Sequence, residues 1–366
     1  YNFAQIVRWY KKNYIFFWLK NHVNALIVRD FIRSMIVLLE NFQLSSNNKN
    51  WIGHLFNHSE LFAIKLMLES WVLPDNISSK LYFILQKKYG NLQVIDPTPQ
   101  LLACKKIDWI INDLGQDING KSFIEIGTGR CPTLPIFLYL KGAKNITTVD
   151  KNKYFSKDIF NQTISWISNN SGIIKTHLPN IIEERLEKIL NHDIQLSEES
   201  AINFLKAIGI RYISPCDATK LSFQDDFFDF QISFAVFEHI PQNILEKILI
   251  ESKRVVKKNG LFINEIDYFD HFAKTYGKAF DDKISQINFL RFSKKEFSLL
   301  AGNRFNYMNR MRHDDFIKLF IKSGLKIKAV EEKKDISLQK FLDSQKSKLA
   351  KNYRLKKNKI LLITGA

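Results

Sequence analysis

The stretch Lys121-Ser-Phe-Ile-Glu125-Ile-Gly127-Thr128-Gly129-Arg-Cys131-Pro132 decides the fold. It reads as a short apolar strand running into two glycines. A helical pattern follows over Pro132 to Leu140, and a second strand over Asn145 to Val149. Strand, helix and strand within about thirty residues make a βαβ unit, which commits both strands to one parallel sheet. Outward from this unit, helix Leu101 to Leu114 ends at Gly115, and residues 152–208, helical and polar, are longer than a crossover requires and read as a helical insertion. Strands resume at Arg211 to Ser214, Phe228 to Phe234 and Leu261 to Ile266, and helix Ile244 to Val256 lies between the last two with Asn259-Gly260 as its C-terminal stop. Helix Asp314 to Ser323, ended by Gly324, precedes two final strands, Leu325 to Val330 and Lys359 to Thr364. The expectation is an α/β fold: a doubly wound, mostly parallel seven-stranded sheet over residues 101–366, behind a helical N-terminal region of residues 1–100.

Composition excludes several classes. With 45% hydrophobic and 25% charged residues the 366-residue chain is globular, not disordered. Its three cysteines, Cys104, Cys131 and Cys216, are odd in number and widely spaced, which excludes a disulfide framework and a CxxC metal knuckle and suits a reducing compartment. No apolar run reaches the roughly 18 residues of a spanning helix; Tyr14 to Leu39 is broken by Lys20, His22, Arg29, Asp30 and Arg33. No secretory signal is visible, and the chain opens on Tyr1 rather than Met, which leaves room for sequence ahead of it. The expected placement is cytoplasmic, with peripheral contact at an inner membrane as the second choice. The net charge of +17 comes from Lys spread along the whole chain, which reads as compositional drift before it reads as a nucleic-acid footprint.

In an open parallel sheet, ligands bind beyond the carboxyl ends of the strands. Gly127 and Gly129 let the backbone approach a ligand closely. A dinucleotide site wants a third glycine where Pro132 stands, and Pro132 and Pro135 remove N–H donors from the first turn of the helix, so it is a poor phosphate cradle. The Glu125 carboxylate repels phosphate and suits a cation. Asp150, 25 residues after Glu125, ends the second strand, where a carboxylate accepts hydrogen bonds from ribose hydroxyls or simply caps a helix. Asp217, in Ser214-Pro-Cys-Asp-Ala-Thr219, holds the matching place after the third strand.

This order, acid-x-Gly-x-Gly, Asp after the second strand and Asp-Ala after the third, continues with Phe227-Phe-Asp-Phe-Gln-Ile-Ser-Phe-Ala-Val-Phe-Glu-His-Ile240. Leu221-Ser-Phe-Gln-Asp-Asp-Phe-Phe-Asp229 leads into that strand, and Arg254-Val-Val-Lys-Lys-Asn-Gly260-Leu into the next. The set resembles the class I S-adenosylmethionine-dependent methyltransferases, in particular the bacterial type 11 group, over roughly residues 105–366. The resemblance implies a Rossmann-like enzyme domain with S-adenosyl-L-methionine as cofactor. Glu125, Gly127, Thr128 and Gly129 would frame its methionine part. Asp150 would hold the ribose with Lys151 beside it, Asp217 and Ala218 would read the adenine, and the backbone at Phe234 and Ala235 would face the amino group. Cys131 departs from the family by standing where a third glycine is common.

A sulfonium is already electrophilic, so such a protein mainly aligns the acceptor and takes its proton. The first candidate base is His271, at the end of Glu265-Ile-Asp267-Tyr-Phe-Asp270-His271, where an imidazole adjoins a carboxylate; His239 is the second. Asp267, Asp270 and His271 lack a second set of ligands, so no metal is expected. An acceptor-side segment, about 268–312, contains Asn288-Phe-Leu-Arg291 and Arg304-Phe-Asn-Tyr307-Met-Asn309-Arg310-Met-Arg312. Its arginines suit oxyanions and its aromatics suit stacking, and it resembles a block in bacterial methyltransferases encoded with surface-glycan genes. Asp267, Tyr307, Asn309 and Arg310 are its candidate acceptor-binding residues; packing of a lid against the sheet is the rival role.

Other readings are weaker. The Asn/Asp-Pro-Pro-aromatic signature of amino-directed nucleic-acid methylation is absent after the fourth strand, and Pro215-Cys216 lies in the presumed adenine pocket rather than at a cytosine site. Nucleic acid is therefore an unfavoured partner, and no RNA-binding module is recognisable in the first hundred residues. Ile6-Val-Arg-Trp-Tyr-Lys-Lys-Asn-Tyr-Ile-Phe-Phe-Trp18 suits a lid, a homodimer contact or a membrane interface. An inactive cofactor-binding scaffold would be expected to lose Glu125, Asp150 or the glycines. The favoured reading is methylation of an oxygen, less readily a nitrogen, of a small molecule or glycan precursor.

Overall fold

The computed structural model describes residues 94–191, 196–270, 288–294, 307–331 and 361–363, together with 83, 87, 92 and 297. The chain divides into two compact units. One comprises residues 1–90, 272–284 and 294–306, almost wholly outside the described residues, and the helices expected over 1–90 lie there. The other, residues 91–271, 285–293 and 307–366, carries the sheet.

Its elements run α1 (Thr98–Asp113), β1 (Ser122–Ile126), α2 (Thr133–Leu140), β2 (Asn145–Val149), α3 (Lys157–Asn169), α4 (Ser171–His177), α5 (Glu183–Leu190), α6 (Glu198–Ala207), β3 (Ile210–Ile213), β4 (Phe228–Phe234), α7 (Gln242–Val255), β5 (Val256–Ile266), α8 (His313–Lys322) and β6 (Leu361–Ile363). The sheet order is β3-β2-β1-β4-β5-β6. The first five strands are parallel, and β6 closes the edge antiparallel to β5.

Both faces of the sheet are covered because successive strand residues point to opposite sides. Phe123, Ile146, Ile210 and Phe230 pack into the core under α1 to α6. Ile124, Val149, Phe228 and Phe262 pack into the other, under α7 and α8. The insertion explains why every residue of α2 is buried, Thr133 and Pro135 included. Arg185 of α5 reaches the C-terminal end of α2, donating from Nη1 to the Tyr139 and Ala143 carbonyls at 2.7 Å each and lying over the Tyr139 ring. It thereby ties α5 to the end of α2 and to the turn that follows it.

Two expectations need correction. Gly260 is not a helix stop: α7 passes directly into β5 at Val256, and Gly260 lies within the strand. The ladder with β4 slips between Phe228 and Phe230, which pair with Val256 and Leu261. The backbone folds back there so tightly that a Cβ on Gly260 would meet the Asp229 carbonyl at 2.5 Å. The second concerns Leu325 to Val330, expected as a strand. It forms no ladder: Leu325 anchors it in the core, but Lys328 to Val330 are exposed. The described residues thus give six strands, not seven.

Candidate active site

The strand order reverses between β1 and β4, so a crevice opens at their carboxyl ends. The loop after β1 meets the turn after β4 there. Gly127 has φ +94° and donates its N–H to the Val149 carbonyl at 2.8 Å. A Cβ at Gly127 would lie 2.5 Å from Val236 Cγ2, so the two segments approach only because that position is glycine. Gly129, also left-handed at φ +67°, faces open space instead.

Glu125 is buried at 4% exposure. Its Oε2 accepts from the Thr148 hydroxyl, which is in turn hydrogen-bonded to the Thr128 hydroxyl. Burial pushes the Glu125 carboxyl up to about 8 against the Thr148 hydrogen bond, and the Asp150 charge adds to the rise. Sequence reasoning missed Thr148; its signal was available only through the register, since Glu125 and Thr148 are direct neighbours in the β1–β2 ladder.

Asp150 stands at the end of β2, half-buried, and burial raises its carboxyl, opposed by the amides it accepts from. The Asn152 N–H reaches Oδ1 and the Gly129 N–H reaches Oδ2, each at 2.9 Å. A carboxylate offers about four lone-pair sites, so Asp150 anchors the glycine loop and keeps acceptor capacity. Beyond β3, the Thr219 hydroxyl and amide both bind Asp217 Oδ1 at 2.7 and 2.9 Å. They hold this exposed carboxyl below its usual range, and the charges of Lys151 and Lys247 act the same way. Ala218 is half-buried and Lys151 is exposed. Burial raises the Cys216 thiol, keeping it protonated and unsuited to a nucleophile's task.

At the end of β4, Phe234 is half-buried and Ala235 is left-handed at φ +52°, its N–H donating to the Glu265 carbonyl at 2.9 Å. A 3₁₀ turn, Phe237–His239, follows. His239 Nδ1 lies 2.8 Å from the Tyr307 carbonyl. A carbonyl only accepts, so Nδ1 bears the proton of that contact. His271, the first-choice base, lies outside the described residues. Asp267 accepts from the Phe269 amide at 2.8 Å. Buried Asp270 accepts from the Phe289 amide at 3.0 Å.

The other expected acceptor residues have backbone partners. Both Nδ2 hydrogens of Asn309 go to carbonyls, of Phe237 at 2.8 Å and Ile240 at 2.9 Å, and its Oδ1 accepts from the Met311 amide. Arg310 is buried and donates from Nη1 to the Phe289 and Phe292 carbonyls. Tyr307 is 38% exposed and contributes its carbonyl to His239. Among the described residues no group of three or more His, Cys, Asp or Glu is placed to hold a metal, and no helix is long and apolar enough to cross a membrane.

Residues 185–264, from α5 into β5, match a family model described as a methyltransferase domain. No curated protein matches the chain. Among solved structures, an S-adenosylmethionine-dependent methyltransferase from Mesorhizobium loti is similar at 13% identity, with 70% of this chain and 95% of that one covered and a TM-score of 0.36. One from Methanosarcina mazei is similar at 16% identity, covering 68% and 92%, with a TM-score of 0.36. Geranyl diphosphate C-methyltransferase from Streptomyces coelicolor A3(2) is similar at 9% identity, covering 72% and 78%, with a TM-score of 0.38. Likenesses this loose add nothing to the match over 185–264.

Proposed function

We propose that the α/β unit of this chain is a class I S-adenosylmethionine-dependent methyltransferase domain and that it methylates an oxygen, or less readily a nitrogen, of a small molecule or glycan precursor. The observation that carries the cofactor side is the pairing of a buried acid, Glu125 in β1, with an anchored one, Asp150 at the end of β2, on either side of the glycine loop. A cationic sulfur nucleoside fits this pair and a phosphate does not: Pro132 and Pro135 supply no N–H at the start of α2. Glu125 and the loop Gly127–Gly129 would frame its amino-acid end, Asp150 its ribose, and Asp217 with Ala218 its adenine, with Lys151 at the rim and the backbone of Phe234 and Ala235 opposite.

When bound, the cofactor supplies an electrophilic methyl group whose carbon–sulfur bond breaks with the electron pair passing to sulfur. The acceptor oxygen donates the pair that forms the new carbon–oxygen bond and gives up its proton. His239 is the described candidate to take that proton on Nε2; His271 is the alternative on the β5 side. Asp267 and the Tyr307 side chain line the acceptor side in this reading. A cytoplasmic bacterial enzyme, touching a membrane or a second copy only through residues 1–100, agrees with the basic, cysteine-poor sequence.

Calorimetry with S-adenosylhomocysteine tests the cofactor half. Binding that falls about 10- to 100-fold in Asp150→Ala, the cost of a hydrogen bond to a charged group, supports the reading; no binding to the wild-type chain overturns it. Transfer of a tritiated methyl group to hydroxylated small molecules, nucleotide sugars and RNA then tests the acceptor class. Label found only in RNA overturns the small-molecule assignment.

A further inference from the structure

Asn309, expected as an acceptor ligand, has both side-chain amide hydrogens committed to backbone carbonyls. Residues 307–311 and the turn Phe237–Ile240 are some seventy positions apart in the chain, yet five hydrogen bonds order their junction. The Asn309 N–H donates to the Glu238 carbonyl at 2.8 Å. Its side-chain amide donates to the Phe237 and Ile240 carbonyls, so one residue holds three carbonyls of a four-residue turn. The Asn309 Oδ1, bonded by the Met311 amide at 2.9 Å, fixes which way the side-chain amide faces. The fifth bond is that of His239 Nδ1 with the Tyr307 carbonyl.

The backbone is bent to make this junction. Arg310, next to Asn309, is left-handed at φ +55°, and Ala235, where the chain leaves β4 for the turn, at φ +52°. Neither is glycine, and such conformations persist where surrounding structure over-determines them, which happens often at functional sites. Arg310 is itself pinned by the Phe289 and Phe292 carbonyls. Val236, the residue just before this turn, is the group that Gly127 makes room for. The turn therefore stands at the crevice between β1 and β4, and His239 with it.

We propose that Asn309 is a positioning residue for His239: it locks the turn so that the Tyr307 carbonyl keeps the proton on Nδ1 and leaves Nε2 as the basic nitrogen. The step served is the one given above, and the inference rests on that reading of methyl transfer. The acceptor's O–H proton moves to Nε2 as the oxygen lone pair forms the bond to carbon and sulfur keeps the electrons of the bond it loses. A neutral imidazole has one N–H and one lone pair, so a ring free to turn over would present the wrong nitrogen part of the time. The Tyr307 carbonyl is backbone and survives any substitution of that side chain; the lever is Asn309.

The experiment is nitrogen NMR of the full chain labelled with ¹⁵N-histidine. The His239 signal is assigned by its loss in His239→Gln, and S-adenosylhomocysteine calorimetry is run on every variant. The expected result is a wild-type His239 protonated on Nδ1, a mixture of tautomers in Asn309→Ala, and an unchanged tautomer in Tyr307→Phe. Asn309→Asp, which keeps the acceptor for the Met311 amide and removes both side-chain donors, should behave as Asn309→Ala does and stands in for it should that variant not fold. A wild-type His239 protonated on Nε2, or an Nδ1 signature that survives both Asn309 variants, overturns the proposal while the cofactor reading stands. A wild-type chain that does not bind S-adenosylhomocysteine overturns the reading beneath it.

Discussion

The two halves of the crevice are built by different means. On the side of β1 to β3, the parts are neighbours by register. Glu125 faces Thr148 across one ladder rung, and the Gly129 amide reaches Asp150 at the end of the adjacent strand. On the side of β4 and β5, the parts come from distant segments. Asn309 grips the turn at 237–240, Arg310 grips 289 and 292, and the Arg312 Nη1 donates to the Tyr268 carbonyl at 2.8 Å with its guanidinium over that ring. A sheet delivers the first half once its strands pair; the second half needs side chains as couplings. The first should therefore fail through local geometry and the second through loss of folding stability.

The largest effect should come from Gly127→Ala set against Gly129→Ala. Both glycines are left-handed, which costs an L residue roughly 1–2 kcal/mol. Only Gly127 also places the new methyl group 2.5 Å from Val236. S-adenosylhomocysteine affinity should drop by more than about tenfold in Gly127→Ala, beyond one 1.4 kcal/mol decade, and clearly less in Gly129→Ala. Equal losses would mean that contact between the two turns does not shape the loop.

Next comes Arg310→Met, on the other half. It leaves the buried Phe289 carbonyl and the half-buried Phe292 carbonyl without this donor, for about 2–4 kcal/mol in total. Thermal unfolding should shift down by roughly 5–15 °C for a domain of this size, with S-adenosylhomocysteine affinity little changed. A large loss of affinity at unaltered melting temperature would place Arg310 in the binding site and erase the contrast.

The same contrast governs what the sequence made legible. Strands 145–149 and 228–234 emerged at their true limits because short local runs bounded by turn residues set them. The acids and glycines of the first half were readable for the same reason, each lying just past a strand end. Gly260 was misread because Asn-Gly ends helices locally, while its actual constraint is the Asp229 carbonyl across the ladder. Leu325 to Val330 has a strand's composition, but pairing is non-local and no partner pairs with it among the described residues. Asn309 looked like a ligand since composition reports that a side chain can hydrogen-bond, not that its hydrogens are already given to Phe237 and Ile240.

A moderate effect is expected from pH. Glu125, raised by burial to about 8, is mostly protonated near neutrality in the ligand-free domain. A cation beside it favours the ionised form, so binding the sulfonium should release a proton. Affinity for S-adenosylmethionine relative to S-adenosylhomocysteine, which lacks the sulfonium charge, should rise as pH climbs from 6 to about 8 and then level off. Stability moves the opposite way. The folded state holds the Glu125 proton more tightly than the unfolded chain, so this contribution is present below about 4.5 and is lost as pH rises through about 8. Glu125→Gln should flatten both profiles. A flat wild-type ratio would detach Glu125 from the cationic end of the ligand.

The smallest effect belongs to Asp217→Ala, and its size tests where the first half ends. Asp217 is exposed, and the two hydrogen bonds of its carboxylate, both on Oδ1, come from its own turn, so removing that group disturbs no distant segment. Water competes for any ligand group it meets, and exposed polar pairs contribute little. S-adenosylhomocysteine affinity should fall about two- to fivefold, with melting unchanged. Thr219→Val separates the carboxylate from its support: it removes one of the bonds that hold Asp217 ionised, and a loss smaller than that of Asp217→Ala is expected. Were Asp217→Ala to match Asp150→Ala, the adenine end would be closed off from solvent by residues beyond β3, and the sheet-built half would extend further than the pairing of β1 with β2.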